Sequence, residues 1–298
     1  MKVAISGGTG FIGNYLCKEL EMNNIEPVIL SREENECSKY KTIKTDYTYK
    51  DLLSKITDID AFVHLAFKRG SHGRIEEFHG NEIMAQTIFD VCRDLKIKNV
   101  VNASTISVYS KQEELPWYEN STIQPELMYG ISKFTNECIG NIYSKNYDIN
   151  IKNLRIAHVY GFNEKNNYMI NKFMRLAYKG NILELNNPAQ AKREFVYAKD
   201  VARAIHLALL FEDSGTFNIG SGDFLTNEDV ANSINKIFGN KNEIRVNNPN
   251  QKETICESYM NITKAASVLG YSPIYSFEDA LVEIYSQMKE LKDVPELY

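Results

Sequence analysis

The stretch Lys2–Gly13, KVAISGGTGFIG, places an apolar run directly before a run of glycines. The residues KVAIS suit a buried strand, and the segment after Gly10 has the apolar spacing of a helix. Gly7, Gly10 and Gly13 are three residues apart, in the turn between the two. Such a turn lets backbone N–H groups and the helix dipole bind a pyrophosphate. The stretch therefore predicts a dinucleotide site, with a tight structural turn as the alternative.

Strand-like and helix-like segments alternate through the first half of the chain. Apolar runs occur at PVILS, KTIKTD, DAFVHLA, KNVVNAS and INIKNLRIAHVYG, the last of which predicts a single sixth strand. The longest helical patterns lie near Asn81–Leu95 and Met128–Tyr147. Buried runs that alternate with helices indicate parallel strands joined by right-handed crossovers. We therefore expect an α/β fold with a doubly wound parallel sheet.

The composition is that of an ordinary globular protein, with 43% hydrophobic and 24% charged residues in a chain of 298. A formal net charge of −5 gives no reason to expect nucleic acid as a partner. The sequence contains neither an apolar run of membrane-spanning length nor the pattern of a signal peptide. The five cysteines are scattered and the histidines lack metal-ligand spacing. We expect free thiols, no metal, no membrane contact and a cytoplasmic location.

A tyrosine and a lysine, Tyr129 and Lys133, share one face of a predicted helix because they are four residues apart. A phenol has a pKa of about 10, and a nearby ammonium group favours its ionised form. The stretch VVNASTISVYS places Ser104 and Thr105 at the carboxyl end of a buried strand, where a doubly wound sheet binds ligands. Together these residues predict an acid–base site. For the Tyr/Lys pair alone, a solvated helix face is the alternative.

These motifs, in this order and spacing, resemble those of the extended short-chain dehydrogenase/reductase family, of the NAD-dependent epimerase/dehydratase type. Its best-known members modify nucleotide-linked sugars. The segment DAFVHLA is similar to the family's fourth strand, and Asn81 resembles the asparagine of its next helix. LRIAHVYG, REFVYAKDVARA and NITKAASVLGYSP resemble later family segments, although His158 replaces the usual asparagine.

The resemblance implies two domains. A doubly wound parallel Rossmann sheet would bind the dinucleotide and comprise residues 1–160 plus 192–222. A smaller, mostly C-terminal α/β domain would bind the substrate and comprise residues 161–191 plus 223–298.

The resemblance also implies roles for the site residues. Thr105 would hydrogen-bond the reacting oxygen, Tyr129 would be the general acid–base, and Lys133 would bind the nicotinamide ribose and tune Tyr129. Thr105 is chosen over Ser104 because it lies four residues before the tyrosine of the family's VY pair. Arg193 would contact the substrate diphosphate, with a solvated surface charge as the alternative. The implied cofactor contacts are Gly7, Gly10, Phe11, Ile12, Gly13, Ser31, Arg32, Asp46, Leu65, Ala66, Asn81 and Lys133, and the implied substrate contacts are Thr105, Tyr129 and Arg193.

The residues after Thr105 limit the reaction. Family members that dehydrate sugars carry an acidic pair there, and Ile106 and Ser107 can supply neither the acid nor the base. Family members that epimerise the carbon next to a ketone carry a cysteine and a histidine as base and acid. In this sequence, Ser107 and Tyr168 stand at about those two positions. What remains is hydride transfer with protonation by Tyr129, which suffices to reduce a 4-keto sugar or to epimerise C4.

A second arginine that the family usually carries is absent from NPNQKETICES, where Gln251 and Lys252 stand. The identity of the nucleotide therefore stays open.

Ser31 and Arg32 end the second predicted strand, where Asp or Glu would bind the adenosine ribose 2′-hydroxyl. Their side chains suit a 2′-phosphate, so they favour NADP over NAD. A capping box between Ser31 and Glu34 is the alternative explanation. Because reductases consume NADPH and C4 epimerases recycle NAD, our first interpretation is an NADPH-dependent reductase of a nucleotide-linked 4-keto-6-deoxy sugar. A nucleotide-sugar C4 epimerase is the alternative, and a non-catalytic dinucleotide-sensing protein is the third hypothesis.

Both long predicted helices carry an apolar stripe. The stripes are Ile83, Ile88 and Val91 on the first helix and Phe134, Cys138 and Ile142 on the second. Core packing would explain them. In the resembled family the equivalent helices often form a four-helix bundle between two subunits, so we predict a homodimer.

Overall fold

The structure is a computed structural model that describes residues 1–33, 39–70, 72–188, 190–253 and 256–291. Within these ranges the strands are β1 (Lys2–Ser6), β2 (Glu26–Ser31), β3 (Lys41–Lys44), β4 (Ala61–His64), β5 (Asn99–Thr105), β6 (Asn150–Ile156), β7 (His158–Tyr160), β8 (Glu184–Leu185), β9 (Arg193–Tyr197), β10 (Gly215–Ile219), β11 (Phe224–Leu225) and β12 (Arg245–Val246). The α-helices are α1 (Phe11–Met22), α2 (Tyr49–Lys55), α3 (His79–Asp94), α4 (Met128–Asn146), α5 (Met169–Tyr178), α6 (Ala198–Leu210), α7 (Asn227–Phe238), α8 (Thr263–Leu269) and α9 (Phe277–Lys289). Short 3₁₀ helices span Ile75–Glu77, Ile106–Val108 and Gln112–Glu114.

The main sheet has seven parallel strands in the order β10-β6-β5-β4-β1-β2-β3. β1 lies inside the sheet, and the chain adds β2 and β3 on one side of it. The chain then returns to β4 on the other side of β1 and adds β5, β6 and β10 beyond it. The strand order therefore reverses between β1 and β4, where a ligand crevice opens outside the carboxyl ends of the strands. The predicted fold class, α/β with a doubly wound parallel sheet, is confirmed.

Helices cover both faces of this sheet because successive strand residues point to opposite faces. Val3 and Ile5 of β1 lie in a core with residues of α1 and α6. Ala4, between them, lies in a second core with residues of α2, α3 and α4. Strands buried on both faces read as the continuous apolar runs seen in the sequence.

The segment expected as one sixth strand is divided between two sheets. β6 ends at Ile156, which pairs with Thr105 at the end of β5. The N–H of Ala157 still bonds to the carbonyl of Ile219 in β10, at 2.9 Å. Beyond Thr105 the chain forms a 3₁₀ helix, so β5 has no further residues with which the next strand could pair. β7, which starts at His158, therefore pairs with β9 instead. These two strands belong to a three-stranded sheet ordered β11-β9-β7.

A third hydrophobic core lies between α5, α7 and α9, with Phe173, Ile234 and Leu281 among its buried members. This separate core supports the two-domain division implied by the resemblance, which we keep as a proposal. Phe195 and Tyr197 of β9 also belong to this core, although the proposed boundary assigns that strand to the larger domain. β9 therefore contributes side chains to the core of the smaller proposed domain as well as belonging to the larger one.

Among the described residues, no helix is both long and apolar enough to cross a membrane. Cys17, Cys92, Cys138 and Cys256 are free thiols, and Cys37 lies outside the described residues. No group of three potential metal ligands occurs in the described part of the chain.

Candidate active site

The glycine turn after β1 is packed so tightly that two of its positions exclude a side chain. Gly7 has a φ of +75°, and a Cβ there would lie 2.7 Å from the backbone nitrogen of Ala66. A Cβ on Gly13 would lie 2.3 Å from the carbonyl oxygen of Gly7. The turn closes through a hydrogen bond of 3.0 Å from the N–H of Gly10 to the same carbonyl. Glycine is thus required to bring the first turn of α1 against the ends of β1 and β4.

The N-terminus of α1 is suited to an anion. Gly10 is its N-cap, and in the described part of the chain no side chain caps this end and no acidic residue lies in the first turn. The first-turn residues include Phe11 and Ile12, whose N–H groups have no partner within the helix. Together with the helix dipole, these groups fit the pyrophosphate of a dinucleotide.

The residues predicted to bind the adenosine end lie at the ends of β2 and β3. The hydroxyl of Ser31 accepts a hydrogen bond of 3.1 Å from the N–H of Glu33, and Glu34, its partner in the alternative capping box, lies outside the described residues. The guanidinium group of Arg32 lies 5.8 Å from the ring centre of Tyr47. A surface depression here is lined by Arg32, Lys44, Thr45, Asp46, Asp51 and Lys55. It therefore presents carboxylates as well as cations to a ligand.

The loop after β4 is held by backbone contacts at the crevice. The N–H groups of Leu65 and Ala66 both bond to the carbonyl of Ser6, each at 3.0 Å. Asn81 accepts a hydrogen bond from the N–H of Lys68 at 2.8 Å and donates one to its carbonyl at 3.0 Å. The Asn81 amide, predicted to contact the cofactor, thus fixes the loop that borders the site.

The three predicted catalytic residues are brought together. Thr105 ends β5 and Tyr129 lies near the start of α4, where the Thr105 hydroxyl is close enough to the phenol to lower its pKa. Lys133 lies one turn further along α4, where its ammonium group donates a hydrogen bond of 2.7 Å to the carbonyl of Ala103. Hydroxyl, phenol and ammonium therefore converge at the carboxyl end of the sheet, beside the crevice.

Burial dominates the ionisation of this cluster. It raises the pKa of Tyr129 above its usual value, against the opposing effects of the Arg69 charge and the hydrogen bond to Thr105. It lowers the pKa of Lys133 to about 7, against the opposing charge of Glu137. The Lys133 ammonium also lies 4.1 Å from the ring centre of Phe67. The arrangement can take up and release a proton at Tyr129.

Ser104, the hydroxyl residue next to Thr105, has a different function. Its hydroxyl donates a hydrogen bond to the carboxylate of Glu137, which is fully buried on α4. Arg155 of β6 bonds to the same carboxylate and to the hydroxyl of Tyr109. Ser104 is therefore part of a buried network that ties β5, β6 and α4 together, and Thr105 remains the hydroxyl beside Tyr129.

The predicted substrate contact Arg193 lies beside His158, with its Nη2 atom 3.1 Å from the Nε2 atom of the imidazole. His158 Nε2 also lies 3.1 Å from the hydroxyl of Ser258. Burial and the nearby charges of Arg193 and Arg69 lower the pKa of His158 to about 3, so the imidazole is neutral. A neutral imidazole can accept a hydrogen bond from Arg193 and hold its guanidinium group in place.

Sequence analysis missed two side chains that contact Tyr129. The Phe67 ring meets the Tyr129 ring edge to face, with 5.4 Å between centres. The guanidinium group of Arg69 lies 4.9 Å from the Tyr129 ring centre. A signal was available, because the basic segment FKRG directly follows a buried strand at the crevice. Tyr168, considered only as a replacement for histidine, contacts Arg69 from the other side.

Residues 3–220 match the NAD dependent epimerase/dehydratase family. The chain belongs to this family. The resemblance inferred from the motifs is thereby confirmed, as is the prediction that the chain is an enzyme of this kind.

Several members of the epimerase/dehydratase family resemble the chain along its whole length. A UDP-N-acetylglucosamine 4-epimerase from Bacillus cereus is 49% identical, with a TM-score of 0.94 and coverage of 100% of both chains. A UDP-glucuronic acid 4-epimerase from Bacillus cereus, solved with NAD, is 25% identical, with a TM-score of 0.84 and coverage of 98% of this chain and 100% of the other. A Bacillus subtilis protein described as uncharacterized UDP-glucose epimerase YtcB is 27% identical over 98% of this chain and 99% of its own.

Proposed function

We propose that the chain is an NAD-dependent nucleotide-sugar C4 epimerase whose substrate is a UDP-N-acetylhexosamine. The proposal is supported by the 49% identity, over the full length, to a UDP-N-acetylglucosamine 4-epimerase. A second relative is a UDP-glucuronic acid 4-epimerase, and the Bacillus subtilis relative is described as an uncharacterized UDP-glucose epimerase. Our first interpretation from the sequence, a 4-keto sugar reductase, has less support than the epimerase alternative.

The observation that carries the proposal is the placement of the Thr105 hydroxyl beside the Tyr129 phenol, with neither an acid nor a base at the two positions that follow Thr105. Ile106 is buried in the hydrophobic core. The Ser107 hydroxyl accepts a hydrogen bond of 3.3 Å from Thr105. Dehydration needs both an acid and a base at this position, whereas C4 epimerisation needs one group that takes a proton and later returns it.

The proposed roles follow from the positions of the side chains. Tyr129 takes the proton of the sugar 4-hydroxyl, and Thr105 holds the sugar O4 by a hydrogen bond. When bound, NAD supplies the hydride acceptor and donor for C4. Tyr129 returns its proton once the sugar presents its other face, so the reaction ends without net change in proton or oxidation state. We propose that Lys133, whose ammonium group lies beside the crevice, binds the cofactor ribose.

We propose NAD rather than NADP as the working cofactor. The relative solved with NAD supports this choice. An enzyme that recycles its cofactor also has no need for the cellular NADPH supply.

We propose that Arg193 binds the diphosphate of the substrate. Burial lowers the pKa of Arg193, against the opposing charge of Glu253. A guanidinium group remains charged despite such a shift and suits bidentate binding of phosphate oxygens. His158 and Ser258 would orient it.

The test compares three substrates at a catalytic amount of NAD: UDP-N-acetylglucosamine, UDP-glucose and a UDP-4-keto-6-deoxy sugar with NADPH. We expect interconversion of UDP-N-acetylglucosamine and its C4 epimer, at a higher kcat/KM than for UDP-glucose. Tyr129→Phe should retain NAD binding and lose turnover by about 100-fold or more. Stoichiometric oxidation of NADPH by the keto sugar, without epimerisation, would restore the reductase interpretation.

A further inference from the structure

Arg69 lies between two tyrosines at the mouth of the site. Its guanidinium carbon is 4.9 Å from the ring centre of Tyr129 and 4.9 Å from that of Tyr168. It also donates a hydrogen bond to the Tyr168 hydroxyl. Tyr168 is the N-cap residue of α5, so the contact joins the loop after β4 to the proposed substrate domain.

The backbone beside Arg69 is anchored. The preceding residue, Lys68, has both its N–H and its carbonyl bonded to Asn81 of α3. The Tyr168 hydroxyl anchors the other end of the side chain. The residue before Arg69 is thus tied to α3 and its guanidinium group to the start of α5, and these contacts place the guanidinium group over the Tyr129 ring.

We infer that Arg69 is a positioning residue for proton transfer, which acts through Tyr129 by stabilising its phenolate. The face of an aromatic ring attracts a cation, and the attraction grows when the ring carries a negative charge. The inference rests on the proposed function, in which Tyr129 must take a proton from the sugar hydroxyl. The contact between the two side chains is independent of which sugar reacts.

Arg69 is not the sole polar group around Tyr129 in the described part of the chain. Thr105, from β5, and Tyr168, from the start of α5, are neutral hydroxyl groups. Lys133, on the same helix, is bonded to a backbone carbonyl, and its burial lowers its pKa to about 7. An arginine stays protonated throughout the working range of pH. Arg69 therefore places a positive charge over the Tyr129 ring in addition to the charge of Lys133.

The effect of Arg69 on Tyr129 is limited by solvent, because the arginine side chain is exposed. An opposite charge within a few ångströms shifts a pKa by about one to three units, and exposure places this pair at the lower end. Removing the charge should raise the pKa of Tyr129 by about one unit.

The experiment measures the ionisation of Tyr129 directly. 3-Fluorotyrosine is incorporated at position 129 of the NAD-loaded protein, and its ¹⁹F shift is followed against pH. Arg69→Gln removes the charge and should raise the pKa by about one unit, whereas Arg69→Lys should stay within a few tenths of the wild-type value. Arg74→Gln is the matched control, because Arg74 lies in the same loop and pairs with Glu76. It should leave the pKa unchanged.

A second measurement relates the shift to turnover. In Arg69→Gln, the rising limb of kcat against pH should move to higher pH by the same amount as the ¹⁹F midpoint. In Arg69→Lys, the limb should return to its wild-type position. An unchanged midpoint in Arg69→Gln would overturn the inference. A shifted midpoint in a protein that does not epimerise sugars would leave the inference standing and refute the proposed function.

Discussion

Glu137 and Arg155 form an ion pair inside the protein, with nitrogen–oxygen distances of 2.7, 3.1 and 3.2 Å. Their side chains are 1% and 5% exposed, and they join α4 to β6. The same carboxylate accepts the hydrogen bond of Ser104 on β5. The pair therefore fixes the helix that carries Tyr129 relative to the strand that ends at Thr105.

Removing one partner should destabilise the fold strongly. Glu137→Ala leaves the Arg155 charge buried without compensation, so we expect the free energy of unfolding to fall by about 3–5 kcal/mol. Glu278→Ala is the control, since Glu278 forms an exposed pair with Lys236 and should cost less than about 1 kcal/mol. Denaturant unfolding of the three proteins measures the difference. Equal losses in the two variants would contradict the structural role of the buried pair.

Lys133 makes stability depend on pH in the absence of cofactor. Its pKa is about 7 in the folded chain, whereas an unfolded lysine titrates near 10.4. Below pH 7 both states are protonated and the folded state carries the cost of a buried charge. As pH rises above 7 the folded state releases its proton first, so this cost is relieved and the contribution of Lys133 to stability increases.

The comparison with Lys133→Met isolates this effect. Between about pH 7 and pH 9, wild type should gain up to about 1.4 kcal/mol per pH unit relative to the variant. Urea unfolding at several pH values measures the gain. Parallel pH dependences of the two proteins would show that the ammonium group is not desolvated as described.

The cofactor preference tests the role of Ser31 and Arg32. We expect wild type to bind NAD more tightly than NADP, and Arg32→Ala to change NAD affinity by less than about fivefold. Ser31→Asp should keep NAD binding and weaken NADP binding further, because the new carboxylate repels the 2′-phosphate. Fluorescence titration with the reduced cofactors measures all three proteins. A wild-type preference for NADPH that Arg32→Ala reduces by about ten- to a hundred-fold would reinstate the NADP hypothesis.

The predicted homodimer depends on the outer faces of α3 and α4. Of the two stripes, Ile88 and Val91 are fully buried in the core and Phe134 packs against it, so core packing explains these members. Ile83 and Ile142 are 67% and 56% exposed. We expect these two side chains to lie in a subunit interface.

Light scattering of wild type and Ile142→Lys tests this interface. Wild type should have the mass of two chains, and the variant should shift toward one, because a charge in an apolar interface lacks a partner. Val282→Lys is the control, since Val282 is 57% exposed on α9, away from these helices. A wild-type monomer would refute the dimer.

Much of the fold could be predicted because its determinants are local. The Gly7–Gly13 turn requires glycines at fixed spacing, and strands buried on both faces appear as apolar runs. The transfer of β7 to another sheet could not be predicted from its own residues, because it follows from where β5 ends. Local patterns therefore specify elements, whereas strand partners depend on the neighbouring chain.

The site residues also divide into those that could be predicted from local sequence and one that could not. Thr105, Tyr129 and Lys133 could be selected from spacing, and the structure brings them together. Arg69 could not be assigned, because its two aromatic partners lie far along the sequence, Tyr168 being 99 residues away. The basic segment after β4 indicates a cation near the crevice, but which side chains Arg69 meets depends on the fold.

The central claim, that the chain recycles its cofactor to invert C4, is tested by an isotope label. UDP-N-acetylglucosamine carrying deuterium at C4 is incubated in ordinary water with the NAD-loaded protein, and the products are examined by NMR and mass spectrometry. We predict the C4 epimer with its deuterium retained at C4, because the same hydride leaves and returns, and no net consumption of NAD. Loss of the label to solvent, or product formed only in proportion to added NADPH, would contradict the account.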